Sequence, residues 1–398
     1  MILSDYVEMN PRVALIRDSR VPFVSMDVVK PGTRFIYPRE ERFVRGSGSK
    51  FYPGDTLFAR ITPCLENGKI AQYAGDRPGM GSTEFFVLRA RNGISDPSYV
   101  FYFSQRRDLR SDAIRSMSGA SGRQRAVISA LSDFECEFPP LEIQRRIAHI
   151  LSAYDELIEN SQQRIKILES MARALYREWF VYFRYPGYES VPLVLSALGE
   201  IPQGWEVKPM ADCIEINPKV VVPRNGEKPF VPMGCLSNDS MQITNIESRE
   251  GNSGAKFQNN DTLFARITPC LENGKTGLVQ FLSDAQDVAF GSTELIVLRS
   301  RTLTPEYVYL LARSDDFRSV AIKSMSGATG RQRVQQECFE DMYLAQPPLV
   351  LLDQFSAITT PAFRLVYQLH LQIENLRRTR DLLLSRLLSG QIDVDVAA

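Results

Sequence analysis

The feature that most constrains this chain is an internal copy without a single difference. Asp55–Lys69 and Asp261–Lys275 both read DTLFARITPCLENGK, fifteen residues long. Identity of that length marks a duplicated protein, and a duplicated protein is expected to fold as two similar units. The match extends well beyond this stretch. Asn10-Pro11-Arg12 corresponds to Asn217-Pro218-Lys219, Pro22-Phe23-Val24 to Pro229-Phe230-Val231, and Gly81–Glu84 (GSTE) to Gly291–Glu294. Ser116–Arg125 (SMSGASGRQR) corresponds to Ser324–Arg333 (SMSGATGRQR), and Pro139-Pro140-Leu141 to Pro347-Pro348-Leu349. The spacing between matched segments drifts by only a few residues, as small loop insertions in one shared fold produce.

A chain of 398 residues has room for two such units, each able to bury a core. With 44% hydrophobic and 24% charged residues the composition is that of a soluble globular protein. Lys plus Arg and Asp plus Glu both number 47, which excludes a bulk polycation, so any phosphate-binding surface has to be a local patch. The six cysteines (Cys64, Cys136, Cys213, Cys235, Cys270, Cys338) show no zinc spacing and read as mostly buried, reduced thiols. The two histidines, His149 and His370, fall in helical patterns, which leaves little for a histidine-based triad. No apolar core of signal-peptide length opens the chain and no run approaches a membrane span, so a cytoplasmic protein without membrane contact is expected.

Each unit runs in the same order. Strand-like segments such as Glu84–Arg89 (EFFVLR) and Glu294–Arg299 (ELIVLR) come first. Helical patterns at Tyr99–Arg107 and Tyr307–Arg313 follow, and Pro-Pro-Leu then opens a long helix. The first long helix is expected from about Leu141 to about Arg184. Ile147, Tyr154, Ser161, Leu168 and Leu175 fall at seven-residue steps, with Ile150/Leu151, Leu157/Ile158, Ile165 and Met171/Ala172 between them, which is a heptad seam. In the second, Phe355, Ile358, Leu365/Val366, Leu369, Ile373, Leu376, Leu383 and Leu387 repeat the seam until Ser389-Gly390, and Pro361 is expected to kink or break the first turns. Roughly forty residues of helix reach about 60 Å.

Neither helix can bury its stripe alone, so the two are expected to pair antiparallel, relating the units by an approximate twofold axis. The aromatic end Trp179–Phe183 is expected to pack on the adjacent domain or the other helix. The predicted fold is therefore α/β (α+β) in two tandem repeats, residues 1–139 and 185–346. Long helices at 140–184 and 347–398 form an antiparallel coiled coil.

For chemistry, the chain has no phosphate loop, no dinucleotide fingerprint and no Asn/Asp-Pro-Pro-aromatic run. Its nearest approach to an Mg²⁺-dependent nuclease is Asp55, Glu66, Lys69 and Glu84, repeated as Asp261, Glu272, Lys275 and Glu294. Against that, Asn67-Gly68 reads more simply as a tight turn. The loops Ser116–Arg125 and Ser324–Arg333 combine glycines, hydroxyls and Gln124 or Gln332 with Arg115, Arg123 and Arg125 or Lys323, Arg331 and Arg333. Those groups suit phosphate and guanine.

The copies diverge at Val28–Lys50 against Cys235–Lys256, and again at Ile70–Met80 against Thr276–Phe290. The first divergent segment carries Arg34, Arg39, Arg42, Arg45 and Lys50 among Phe35, Tyr37 and Phe43; its counterpart is polar and ends at Lys256. Two modules that read different base sequences should share phosphate contacts and differ where base edges are touched. The divergent segments are then candidate base readers, and Arg60, Asn67, Lys69, Arg266, Asn273 and Lys275 candidate contacts of the shared motif. Plain loop drift is the alternative.

The two Pro-Pro-Leu helices (PPLEIQRRIAHIL and PPLVLLDQFSAI), the segment Gly199–Val207 (GEIPQGWEV) and the closing Leu387-Leu388-Ser389-Gly390 resemble the specificity subunits of type I restriction-modification enzymes. The resemblance covers nearly the whole chain. It implies a non-catalytic reader with no cofactor or metal of its own, in which two target-recognition domains each bind half of a bipartite double-stranded DNA sequence and the paired helices fix the spacing. It also implies two modification (methyltransferase) subunits that use S-adenosylmethionine, and restriction subunits that use ATP, as partners. This chain departs from the pattern at Leu351-Leu352-Asp353, which replaces the Ile143-Gln144-Arg145 pattern, and at Pro361. A nuclease and a coiled-coil scaffold that binds no DNA are the competing readings.

Overall fold

Thr56–Ala59 and Thr262–Ala265, the strands inside the duplicated stretch, are buried at all four positions. A strand covered on both faces needs no polar alternation, which is why TLFA shows none. The structure is a computed structural model describing all residues except 121, 285–286, 329 and 395–398. Contacts divide it into two units, Met1–Asn160 with Ile373–Ala398, and Ser161–Gln372. Each long helix thus gives one half to each unit.

In the first unit, helix α1 (Leu3–Tyr6) precedes strands β1 (Val7–Met9), β2 (Arg20–Val24), β3 (Phe35–Ile36), β4 (Glu40–Phe43), β5 (Ser49–Phe51), β6 (Thr56–Ala59), β7 (Ile70–Tyr73), β8 (Gly79–Gly81) and β9 (Phe85–Ala90). They form two sheets, ordered β1-β9-β6-β7-β3 and β4-β2-β8-β5. Helices α2 (Pro97–Ser104), α3 (Arg107–Arg115) and α4 (Ser129–Ser132) lead to the long α5 (Leu141–Tyr176). The start of α2 is fixed by Asp96, whose side chain accepts the Ser98 and Tyr99 N–H groups ahead of a first-turn proline.

Across the second sheet Lys50 lies opposite Met80, Met80 opposite Phe23, and Phe23 opposite Glu40. Directly opposed residues project to the same side. This row therefore faces away from the core that Val24 and Phe51 form with Leu57, Tyr73, Phe85 and Val87. Gly81 sits where a Cβ would come 2.7 Å from the Val24 carbonyl, and Gly291 would meet the Val231 carbonyl at the same distance, which accounts for the glycine of both GSTE segments.

In the second unit a hairpin, β10 (Leu193–Ser196) and β11 (Gly199–Pro202), precedes β12 (Glu206–Pro209), α6 (Met210–Cys213), β13 (Ile214–Ile216), β14 (Lys228–Val231), β15 (Glu247–Arg249) and β16 (Ala255–Phe257). Strands β17 (Thr262–Ala265), β18 (Thr276–Leu278), β19 (Ala289–Gly291) and β20 (Leu295–Ser300) follow. Helices α7 (Pro305–Ala312) and α8 (Asp315–Lys323), strand β21 (Tyr343–Gln346) and the long α9 (Leu349–Leu388) complete it. Its sheets run β13-β20-β17-β18 and β15-β14-β19-β16, the orders of the first unit without a partner for β3.

In the first unit Ile147, Ala148 and Leu151 of α5 share a core with Leu383, Leu384 and Leu387 of α9. In the second unit α5 continues into a π-helical turn, Arg177–Val181, whose Trp179 and Phe180 lie 5.9 and 4.8 Å from the Phe355 ring near the start of α9. Within each unit, then, the start of one long helix passes beside the end of the other. The aromatic end packs as expected through Trp179 and Phe180, while Val181 and Tyr182 are exposed.

Several expectations are corrected. The α-helical part of α5 ends at Tyr176, short of Arg184. Leu157, Met171 and Ile358, assigned to the seams, are exposed; Ser161 is buried on its seam as expected, and Asp155 and Glu169, not assigned to it, are buried too. Pro361 does not break α9, which is continuous through it. Pro361 and Ala357, whose carbonyl it leaves without a helical donor, are both exposed, so water can serve that carbonyl, while Phe355, Thr359, Phe363 and Val366 anchor the turns on the buried side. By length and composition alone α9 is apolar enough to cross a membrane, contrary to the expectation that no run approaches a span. Its Phe355, Phe363, Val366, Leu369, Ile373 and Leu387 are nevertheless buried in protein. All six cysteines are free, but only Cys213 and Cys235 are fully buried.

Candidate nucleic-acid interface

The repeated stretch is a platform whose polar groups are mostly committed internally. Asp55 accepts Arg89 Nε at 2.8 Å and Nη2 at 2.6 Å, together with the Tyr52 N–H at 2.7 Å. Asp261 repeats this with Arg299 at 2.7 Å to each oxygen and the Gln258 N–H at 2.8 Å. Lys69 Nζ donates to the Met26 carbonyl at 2.9 Å, and Lys275 Nζ to the Met233 carbonyl at 3.0 Å. Glu66, Asn67, Glu272 and Asn273 stand exposed on the turns. Among the described residues no group of three or more His, Cys, Asp or Glu side chains is placed to hold a metal ion. The nuclease constellation therefore does not assemble: its aspartates and lysines are bound elsewhere, Glu66 and Glu272 face solvent, and Glu84 and Glu294 are held by arginines.

The Gly-Ser-Arg loops are zipped onto this platform. Arg125 N–H donates to the Ser118 carbonyl at 2.9 Å, Thr62 N–H to the Gln124 carbonyl at 3.0 Å, and Ala126 N–H to the Arg60 carbonyl at 2.7 Å. In the second unit Arg333, Thr268 and Val334 repeat these bonds to Ser326, Gln332 and Arg266. The zipper lays Arg125 on Glu84, Nη2 to Oε1 at 2.6 Å, with Arg60 Nε 3.6 Å from the same carboxylate. Arg333 grips Glu294 likewise at 2.6 Å. The hydrogen-bonded Arg125, reinforced by Arg60, holds the Glu84 carboxyl below its ordinary range. Two motifs that matched separately in sequence, GSTE and GRQR, are thus halves of one contact.

Arg125 and Arg333, expected with their loops to help clamp DNA, are each bonded to a carboxylate while their side chains stay 44% and 47% exposed. Gln124 and Gln332 sit half-buried on the zipper, while Arg123 and Arg331 are exposed in the loops; Ser121 and Thr329 lie outside the described residues. Arg115 pairs with Asp112 on its own helix, and Lys323 is exposed at the end of α8.

Beside the platform of the first unit lies a cleft whose lining includes Arg12, Lys50, Arg60 and Thr83 and no carboxylate. Its rim is set by Asn10. At φ 48° this residue turns the chain in the left-handed region, and its Oδ1 accepts the Val87 N–H at 3.0 Å. Asn217, at φ 50° and 3.0 Å from the Val297 N–H, sets the same turn. The matched residues there are Lys219, Lys256, Arg266 and Thr293, with Lys256 opposite Phe290 as Lys50 is opposite Met80. Sequence reasoning singled out Lys50, Arg60, Lys256 and Arg266. It missed Arg12, Thr83, Lys219 and Thr293, although all four stand in matched motifs.

The basic residues of the divergent segment separate into two groups. Arg39, Arg42 and Arg45 are exposed, Arg42 bonded to Glu40 and Arg45 to Asp18, each at 2.7 Å. Arg34, expected to touch DNA, is instead only 6% exposed. Its guanidinium donates to Gln72 at 3.0 Å, Tyr102 at 3.1 Å and Ser98 at 2.6 Å, and also to Ser152. A cation so enclosed is an internal tie.

Residues 65–170, from the first platform into α5, match the family model described as type I restriction modification DNA specificity domain. The MjaIX specificity subunit of Methanocaldococcus jannaschii is 25% identical over 365 residues, covering 89% of this chain and 82% of that protein. The EcoEI specificity subunit of Escherichia coli is 33% identical over 156 residues, 37% of this chain and 26% of its own length. The solved type I restriction-modification S subunit from M. genitalium shares the fold at a TM-score of 0.55, with 13% identity over 97% of this chain and 95% of the other. The matched domain and the relative aligned along most of both chains lead to one conclusion: the chain carries a type I restriction modification DNA specificity domain and is similar along most of its length to a type I specificity subunit, whose fold it shares.

Proposed function

We propose that the chain reads a bipartite double-stranded DNA target, one half-site per unit, and positions methyltransferase subunits on it. The observation that carries this reading is the cationic cleft of the first unit, lined by Arg12, Lys50 and Arg60. The duplicated sequence supplies Lys219, Lys256 and Arg266 at the matching positions, and each unit carries an arginine–glutamate clamp. Shared cations suit phosphates, which carry no sequence information, and the divergent segments around them suit base edges, which do. On this reading α5 and α9 form an antiparallel coiled coil that spaces the two half-sites and gives the chain an approximate twofold symmetry. The catalytic work falls to partners: two methyltransferase subunits that use S-adenosylmethionine, and restriction subunits that use ATP. The chain itself holds no cofactor and works in the cytoplasm, where the DNA is.

The test is a domain exchange. Residues 1–139 are replaced by the corresponding segment of a relative with a different target, and methylated adenines are mapped across the genome. One half of the methylated sequence is expected to change while the other stays. Change in both halves, or in neither, overturns the assignment of one half-site to each unit.

A further inference from the structure

We propose that Arg42 and Arg249 each read a guanine, one in each half of the DNA target. This rests on the half-site reading above and deepens it. Strands β4 and β15 are the edges of equivalent sheets. In the first unit Glu40, Phe23, Met80 and Lys50 form one row across the sheet, and in the second Glu247, Phe230, Phe290 and Lys256 form the same row. The row that begins at the edge therefore ends at the cleft lysine, on the sheet face turned away from the main core, where Phe23 and Met80 are buried in a smaller cluster with Val21 and Val44. Arg42 and Arg249, two residues along their strands from the glutamates, project to that face as well.

Their geometry repeats closely. The Arg42 guanidinium lies 3.8 Å from the Phe23 ring centroid, with Nη2 2.7 Å from Glu40 Oε1. The Arg249 guanidinium lies 4.1 Å from the Phe230 centroid, with Nη2 2.6 Å from Glu247 Oε2. Both side chains are 51% exposed. The surrounding segments are among the least alike in the two copies, so the survival of Glu-x-Arg over Phe stands out against its neighbourhood.

Charges on an edge strand also discourage sheet-to-sheet pairing, but a solvated charge does that in any rotamer. Here each guanidinium is laid on a ring and pinned at one nitrogen, which fixes its plane. Among the described residues the remaining nitrogens of Arg42 and Arg249 have no acceptor. What is offered outward is a planar fork of donors at a set angle. In the major groove the acceptor pair that matches such a fork is guanine O6 and N7.

The experiment uses the full-length chain, alone and with the methyltransferase subunits of its complex, to select from a pool of random-sequence duplexes that is then sequenced. The wild type is expected to enrich a guanine in each half. R42A should lower the preference for the guanine in one half by roughly ten- to a hundredfold, and R249A in the other, each leaving the opposite half intact as proof of folding. R42K and R249K should lose the preference too, because a lysine keeps charge but not the fork. The inference is overturned if both alanine variants keep the full consensus, if they alter the same half, or if they weaken all sequences equally, as a phosphate contact would. A wild type that enriches no sequence overturns the proposed function and this inference with it, so the two failures are told apart by the wild-type result.

Discussion

Asp155 of α5 and Arg380 of α9 form a buried ion pair, Nη1 to Oδ1 at 2.5 Å, with side chains 5% and 11% exposed. Asp155 Oδ2 accepts the Tyr102 hydroxyl at 2.6 Å, Arg34 donates to that hydroxyl at 3.1 Å, and Arg380 also donates to the Gly32 carbonyl at 3.2 Å. One polar network thus joins α2, both long helices and the loop before β3 inside the first unit. Removing one partner of a buried pair costs about 3–5 kcal/mol where the other charge is left uncompensated. R380A should destabilise the chain by that order in urea unfolding, D155A by less because Arg380 keeps Asp381, Nη2 to Oδ1 at 2.8 Å, and the double variant should cost less than the sum. A loss below about 0.5 kcal/mol in D155A would show that the pair holds nothing together.

In the second unit Glu169 of α5 ties down a loop as Arg380 of α9 does in the first, with the opposite charge. Its Oε1 accepts the Met241 N–H at 2.7 Å and the Ser240 hydroxyl at 2.8 Å, at 4% exposure. Burial raises its pKa above the ordinary carboxylate value, with the two hydrogen bonds and Arg173 opposing. A raised folded pKa means a contribution that is full below the unfolded value, about 4.3, and lost as pH rises through the folded one. E169Q keeps an acceptor oxygen and has no charge to desolvate. It should flatten that part of the stability–pH profile and be at least as stable as wild type at pH 7. E169A strands the Met241 N–H and should cost about 1–3 kcal/mol. Unfolding measured from pH 4 to 8 decides, and an unchanged slope in E169Q would sink the idea.

The cleft predicts a salt signature. K50A and R60A should weaken duplex binding about equally for all sequences, and each should reduce the slope of log affinity against log salt by about 1. E84Q should do the reverse, since it releases Arg125 and Arg60 from the carboxylate that now holds them. Arg125 holds the Glu84 pKa down, so the pair is complete above the unfolded value, about 4.3, and fails only as pH falls through the lower folded one. The gain in E84Q should therefore persist unchanged from pH 6 to 8. Fluorescence anisotropy over a salt series checks both, and a wild-type slope in K50A and R60A would remove them from the interface.

What the sequence showed, and what it hid, follows from the range of each interaction. The duplication, the Pro-Pro-Leu starts and the long helices are local patterns, legible along the chain. Arg34 is not: four arginines and two lysines within Lys30–Lys50 look alike, and nothing nearby reveals that Gln72, Ser98, Tyr102 and Ser152 converge on one of them. Asp155 and Glu169 hide in the same way, because a carboxylate on a heptad helix reads as solvated until its partner arrives from far along the chain. Pro361 misled for a different reason. The cost of a helical proline depends on which face it occupies, and here that face is exposed.

The identity of the repeated stretch raises the last prediction. Asp55, 3% exposed, and Asp261, 1% exposed, close bidentate pairs with Arg89 and Arg299 that tie each platform strand to its neighbour, β6 to β9 and β17 to β20. A framework role makes D55N costly, about 3–5 kcal/mol for a broken buried pair, and confines the damage to one unit. Hydrogen exchange should accelerate in β6 and β9 for D55N and in β17 and β20 for D261N, with the unsubstituted unit protected as in wild type. Glu66 and Glu272, exposed in the same identical stretch, should tolerate E66Q and E272Q within about 0.5 kcal/mol. If D55N and D261N left exchange untouched while E66Q and E272Q destabilised the chain, the invariance of the stretch would have to come from its exposed turn and not from the strand beneath it.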